Sequence, residues 1–244
     1  MTSVKERKRV LSRFELSFSK PEKDFFIDLY KCKTDSKRFY IAELYIDWGS
    51  SAHANMLVFD LKNNTCERFE PYGLQYSRTS ERNQFANVFS TLVSQLFDKK
   101  INVILKRNKI KYIPPNKYCP DKSFQLYNNL YNTNNRNNKD PGGYCGAWSL
   151  WWADLRLSNP DIPYKNLIQL ALNQIKTSDI GFTEFIRKYS IFLTNNRISL
   201  FKELKVSIKD RNKMLNVPKR YSQLVKQNKY YNAFLAKYLS KIIN

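Results

Sequence analysis

The chain reads as an α+β protein, and three observations carry that reading. Three β-rich runs come first, at residues 38–47 (RFYIAELYID), 54–61 (ANMLVFDL) and 66–70 (CERFE), each bounded by turn residues. Helical spacing of apolar residues then takes over, at Phe85, Val88, Phe89, Leu92, Val93 and Leu96, and again from Ala147 onward. The resulting order of strands, helix, strand, loop and helices lacks the strict alternation that builds a doubly wound parallel sheet.

Taken in order, residues 1–20 are basic and carry Val4, Val10, Leu11, Phe14, Leu16 and Phe18 as apolar anchors, as a frayed arm or a first strand would. The first β run ends at the turn Trp48-Gly49-Ser50-Ser51. Lys62-Asn63-Asn64-Thr65 predicts a hairpin between the second and third runs, because Asn tolerates positive φ. Pro71 and Gly73 stop the third run. A helix is predicted over residues 83–97, and a fourth strand over residues 101–105 (INVIL). Residues 106–140 are polar, hold Pro114, Pro115 and Pro120 and include an Asn-rich run at 128–138; they predict a long loop, interrupted by a short strand at 123–126. A Pro-Gly-Gly turn follows at 141–143, and a helix begins at Cys145 and ends before Pro160 and Pro163. Further helices are expected at residues 164–175, 181–193 and 221–243.

Composition bounds the function. At 244 residues the chain is long enough to bury a sizeable core. Residues 1–20 are charged throughout, so no signal peptide is expected, and no apolar run is long enough for a membrane helix. The four cysteines (Cys32, Cys66, Cys119, Cys145) form no C-x-x-C pair and there is one histidine, so neither a zinc site nor any other metal or cofactor is expected, and a reducing, intracellular compartment fits better than a disulfide scaffold. The net charge of +21 points toward DNA or another polyanion. The same chain is rich in Asn, Ile, Tyr and Phe and holds only 6 Gly; an AT-rich genome imposes that pattern, Lys included, so charge alone does not establish a nucleic-acid site.

Three residues form a candidate constellation. Cys145 sits between the Pro-Gly-Gly turn and an almost unbroken apolar helix, where free N–H groups and the helix dipole favour a thiolate. A plain core thiol would also sit well there. His53, directly before the second strand, is the only histidine. Glu70 closes the third strand, and the 62–65 hairpin brings strand start and strand end together, so that Glu70 can orient His53 and His53 can activate Cys145. Trp148, Trp151 and Trp152 are expected in the core rather than as a substrate platform. Tyr144, Gly143 and Trp48 are the candidate substrate contacts.

The order His, acid, then Cys at a helix start resembles the ubiquitin-like-protease clan of cysteine proteases, which holds the SUMO-specific proteases and adenain. Glu70-Pro71-Tyr72-Gly73 is similar to the adenain segment that supplies its acid, and Gly143-Tyr144-Cys145-Gly146 is similar to the clan's nucleophile turn with one residue missing. His53-Ala-Asn-Met-Leu and the Trp148–Pro160 stretch look like adenain-like proteins of large DNA viruses. The resemblance covers residues 38–190, leaving residues 1–37 as an N-terminal arm, 38–200 as the catalytic domain and 201–244 as a basic helical extension. Two departures stand out. Ala54 replaces the aromatic that usually follows the histidine, and Asp140 stands nearest to the clan's oxyanion-donating Gln, leaving Gln125 or Asn138 as the alternative donor beside the backbone N–H of Cys145.

The resemblance implies a papain-like fold with a small mixed central sheet. It implies a cysteine endopeptidase that cleaves after small or Gly-Gly residues in viral precursor proteins or in ubiquitin-like modifiers. It places the protein in host cytoplasm or nucleus, or packaged in the virion, with DNA or another polyanion as a further partner and no membrane. Two rivals remain open: a catalytically idle copy of the fold that binds nucleic acid or a virion partner, and an acyltransferase using the same triad.

Overall fold

In a computed structural model the described residues are 21–47, 52–74, 81–127 and 144–203. They form α1 (Glu22–Thr34), β1 (Phe39–Asp47), β2 (Ala52–Asp60), β3 (Thr65–Phe69), α2 (Glu81–Arg107), β4 (Lys111–Ile113), a 3-10 turn at Pro115–Lys117, α3 (Cys145–Ser158), α4 (Tyr164–Thr177) and α5 (Gly181–Glu203). The architecture is α+β with one four-stranded sheet, in the order β1-β2-β3-β4. The chain divides into two compact units, Met1–Ile168 and Gln169–Asn244, with the division inside α4. The sheet and α1–α3 belong to the first.

The sheet is mixed because its connections differ in length. β1, β2 and β3 are antiparallel and follow one another closely in sequence; β4 runs parallel to β3 and is reached through α2, the long crossover that parallel pairing requires. The β2–β3 turn is built by Asp60, whose Oδ1 accepts the N–H groups of Lys62 at 3.1 Å and Asn63 at 3.2 Å, while Asn64 takes the left-handed conformation (φ 50) that Asn tolerates.

Both faces of the sheet are covered. Leu57, Phe59 and Cys66 pack with Phe25, Phe26 and Leu29 of α1 and with Phe97, Ile101 and Leu105 of α2. On the other face α3 lies across β2 and β3: Phe69 stacks on Trp152 with centroids 4.9 Å apart, Arg156 Nε donates to Glu67 Oε1 at 2.8 Å, and Ser149 Oγ donates to Ala54 O at 3.2 Å. Trp148, Trp151 and Trp152 are all fully buried, as the apolar run of α3 requires.

Several expectations are corrected. Residues 101–105 are not a strand but the last turns of α2. Their pattern is helical on inspection, since Phe97, Ile101 and Leu105 are buried one turn apart while Val103 is 51% exposed. The fourth strand is Lys111–Ile113 instead. The expected strand at 123–126 is replaced by helical backbone at 124–127, and the N–H groups of Ser123 and Gln125 pair with Tyr72 O and Pro71 O at 3.0 Å each. Within residues 1–37, taken as an arm, α1 is a core helix that buries Phe25, Phe26 and Leu29. Residues 1–20 and the helix expected at 221–243 lie outside the described residues.

Candidate active site

The site is assembled where three elements end. His53 is the second residue of β2, inside the strand rather than before it, and pairs in register with Ile46 of β1. Glu70 directly follows β3, and Cys145 is the first residue of α3. The antiparallel β2–β3 register runs from Asp60↔Thr65 to Met56↔Phe69, so the start of β2 and the end of β3 share one end of the sheet. α3 packs across β2 and brings its first turn to the same end; a Cβ on Gly146 would stand 4.0 Å from that of Ala54.

This arrangement brings His53, Glu70 and Cys145 together. His53 Nε2 lies 2.5 Å from Glu70 Oε1, and both side chains are buried. The other ring nitrogen is left for Cys145, whose side chain hydrogen-bonds His53 and is only half-buried. The sulfur is therefore open to solvent while the acid stays dry. The Tyr72 ring sits against the imidazole with centroids 5.2 Å apart.

Glu70 is held from three sides. Its Oε1 accepts from His53 and from the Tyr72 N–H at 3.1 Å, and its Oε2 lies 3.6 Å from Arg68 Nη1. Gly73 closes the turn behind it with φ +90, and a Cβ there would stand 2.5 Å from Pro120 O and 2.7 Å from Asp121 O. The acid-bearing turn is thus clamped against residues 120–125.

The charges follow from these contacts. Burial alone would push the Glu70 carboxyl up, but the His53 imidazolium, Arg68 and the Tyr72 N–H together hold it below its ordinary value. Burial alone would lower the His53 imidazole; the charge of Glu70 and the hydrogen bonds to Cys145 and Glu70 instead raise it to about 10. Burial also opposes ionisation of Cys145, and the hydrogen bond to His53 outweighs it, helped by the backbone of Ala54 and Gly146, so the thiol titrates below its ordinary value. The three directions agree on a thiolate–imidazolium pair beside a carboxylate. The other buried thiols differ: burial pushes Cys119 up to about 12 and Cys66 well above the ordinary range.

Of the remaining predicted site residues, Tyr144 caps α3 at its N-terminus, its O accepting from Trp148 N at 2.9 Å. Gln125 is buried against the Glu70 turn, and its Oε1 has no hydrogen-bond partner among the described residues. Trp48, Asn138, Asp140 and Gly143 lie outside the described residues. Sequence reasoning missed Arg68, which is 1% exposed and bonded to Asn55 Oδ1 at 2.5 Å, Ser94 Oγ at 2.6 Å and Asp98 Oδ1 at 2.9 Å. The signal for it was its place two residues before a proposed acid, on the same face of a strand.

Among the described residues no group of His, Cys, Asp and Glu is placed to hold a metal ion, and no helix is long and apolar enough to cross a membrane. No family model matches the chain, and no solved structure matches it. A protein of Acanthamoeba polyphaga mimivirus, described as a putative ankyrin repeat protein, is 32% identical over 178 residues, which is 71% of this chain and 22% of that protein. The chain thus spans about a fifth of the length of the curated relative it matches.

Proposed function

We propose that the protein is a cysteine peptidase of the adenain and ubiquitin-like-protease type, with a minimal papain-like arrangement of sheet and nucleophile helix. The observation that carries this reading is the chain of contacts from Glu70 through His53 to Cys145 at the start of α3. Buried carboxylates and histidines occur for structural reasons. A half-exposed thiol at a helix N-terminus, polarised by a histidine that a buried acid orients, has the parts that nucleophilic catalysis needs.

The steps follow from the contacts. The Cys145 thiolate attacks the scissile carbonyl carbon, forming a C–S bond and an oxyanion. The oxyanion lies toward the backbone N–H of Cys145, which α3 leaves without an intrahelical acceptor, and the amide of the buried Gln125, whose backbone bonds the Pro71 carbonyl, is the candidate second donor. The C–N bond then breaks as the His53 imidazolium gives its proton to the departing amine. Water attacks the thioester, His53 takes its proton, and the thiolate leaves. Glu70 keeps the imidazole in the tautomer and orientation these transfers need. The substrate is a viral precursor or a ubiquitin-like tail, cleaved after small or Gly-Gly residues.

The ankyrin description of the viral relative does not supply a rival fold for the first unit. Ankyrin repeats are helix pairs of about 33 residues, whereas residues 39–113 hold a four-stranded mixed sheet. We read the shared segment as a module that occurs within a longer viral protein. The viral relative also supports a viral setting for this chain.

The test is covalent labelling with a vinyl-sulfone peptide ending in Gly-Gly and with its ubiquitin- and SUMO-derived counterparts, with the adduct located by mass spectrometry. The expected result is labelling at Cys145 that is lost in His53→Ala, with the preferred probe naming the substrate class. Absence of labelling by every probe, with and without added DNA, would overturn the peptidase reading and leave an inactive fold that acts by binding nucleic acid or a virion partner through its basic surface.

A further inference from the structure

The net charge of the chain is +21, yet the strand that flanks its nucleophile presents an acid. Tyr45 pairs in register with Ala54, and Glu43 with Met56. Directly paired residues of an antiparallel ladder project to the same face, with Cβ atoms about 4.5–5.5 Å apart. Ala54 faces the first turn of α3, since its Cβ lies 4.0 Å from the position a Gly146 Cβ would take, and its carbonyl accepts from Ser149. The same parity puts Tyr45 and Glu43 on the α3 face of the sheet, Tyr45 level with the turn that carries Cys145 and Glu43 one same-face position further along β1. The opposite parity, Leu44, Ala42 and Tyr40, packs into the core on the other face.

These two side chains are left for something outside the described fold. Tyr45 is 61% exposed, which is unusual for a strand aromatic beside a closed core. Glu43 is exposed as well. Among the described residues its side chain bonds Tyr45, whose hydroxyl donates to Glu43 Oε2 at 3.3 Å, and no cationic side chain pairs with it. The arrangement matches what binds a lysine or arginine side chain: a ring face for the aliphatic stem or guanidinium, and a carboxylate at its end. The Tyr–Glu hydrogen bond fixes both groups in advance, so little freedom is lost on binding.

We infer that Glu43 and Tyr45 form a subsite for a basic residue near the scissile bond, so that the substrates of this enzyme are Lys- or Arg-containing segments rather than acidic ones. This rests on the peptidase reading above and narrows its substrate class. Small residues at the cleaved bond and a basic residue within a few positions of it are compatible requirements, since the first is set at Cys145 and the second on β1. Acidic flanks are disfavoured by the same carboxylate.

The test uses the full chain and a set of internally quenched peptides with a central Gly-Gly. One Lys or one Glu is placed in turn at each of three positions on either side of the scissile bond. In the wild-type protein one position is expected to show kcat/KM about 10-fold higher for Lys than for Glu, the size that an exposed ion pair and a cation–π contact give together. In Glu43→Lys the Lys-to-Glu ratio at that position inverts, and in Tyr45→Ala it shrinks several-fold. Ratios within one variant are independent of how much of it is folded, and a merely structural role for Glu43 would not reverse them. Cleavage with equal rates for Lys and Glu at every position, or an unchanged ratio in Glu43→Lys, would overturn the subsite and leave the peptidase reading intact. Cleavage of none of the peptides together with no labelling of Cys145 would bring down both.

Discussion

Replacing Glu70 with Gln tests the electrostatic core of the site without asking for any substrate. Glu70 and His53 meet at 2.5 Å in a buried setting, and the hydrogen bond is charge-assisted. Such a bond contributes about 1.5–3 kcal/mol, and each pH unit corresponds to about 1.36 kcal/mol. Gln keeps the shape but removes the negative charge, so the His53 imidazolium loses the partner that raises it to about 10, and its titration falls by roughly one to two pH units. The imidazolium is in turn what holds the Cys145 thiol below its ordinary 9.0, so the thiolate should form at higher pH in the variant. The assay is absorbance at 240 nm against pH, with the Cys145→Ala protein subtracted at each point. Cys66 and Cys119 drop out of that difference, and burial keeps them protonated across the range in any case. The expected result is a thiolate midpoint that moves up in Glu70→Gln, since the imidazolium that lowers it is weakened. A midpoint that stays in place, or moves down, would refute the reasoning, because it would mean that Glu70 does not govern the charge on His53.

Two further predictions concern the frame around the site. Gly73→Ala should destabilise the protein by about 2–5 kcal/mol, from ~1–2 for a left-handed residue and ~1–3 for overpacking, because the new Cβ meets only backbone atoms, which cannot swing aside; urea denaturation measures this, and a loss below about 0.5 kcal/mol would show that the turn relaxes freely. Arg156→Met should cost about 3–5 kcal/mol by stranding Glu67, which is 4% exposed, and Glu67→Leu combined with Arg156→Met should recover most of that loss; a double variant no more stable than the single one would show that the pair is not the unit lost.

The cluster of His53, Glu70 and Cys145 was legible in the sequence because its residue types stand out and its geometry is set by short-range punctuation. A single histidine left one candidate base, the Asn63-Asn64 turn fixed the register that puts His53 and Glu70 at one end of the sheet, and the Pro-Gly-Gly turn before an apolar run fixed Cys145 at a helix start. What could not be read depends on which faces are covered. Arg68 alternates with Glu67 and Phe69 as a solvent-facing strand residue would, and only the packing of α2 over that face turns it into a buried cation. Residues 101–105 are short, apolar and β-branched, and a periodicity argument over five residues cannot separate strand from helix. α1 was missed although Pro21, Glu22 and Asp24 mark its start and Lys31 and Lys33 its end, because its apolar stripe is short and sits in a strongly charged stretch. Tyr45 read simply as a β-former; its importance lies in the cross-strand partner, which sequence does not name.

The buried polar residues of β3 tie the site to the fold in a way that constrains both. Glu67 and Arg68 are neighbours on opposite faces: Glu67 bonds Arg156 of α3, and Arg68 bonds Asp98 of α2 and approaches Glu70. α2 and α3 are therefore each joined to β3 by an ion pair whose β3 member is buried, and Glu70 follows one of these residues by two positions. Replacing either pair with apolar residues need not weaken the fold, since buried ion pairs gain little net stability. It would, however, release the helices from a defined register against β3. For α3 that register sets where Cys145 meets His53; for α2 it sets Arg68, and through Arg68 the charge on Glu70. A site that needs about 0.5 Å of precision gains from directional contacts even where a hydrophobic core would hold the elements together as firmly.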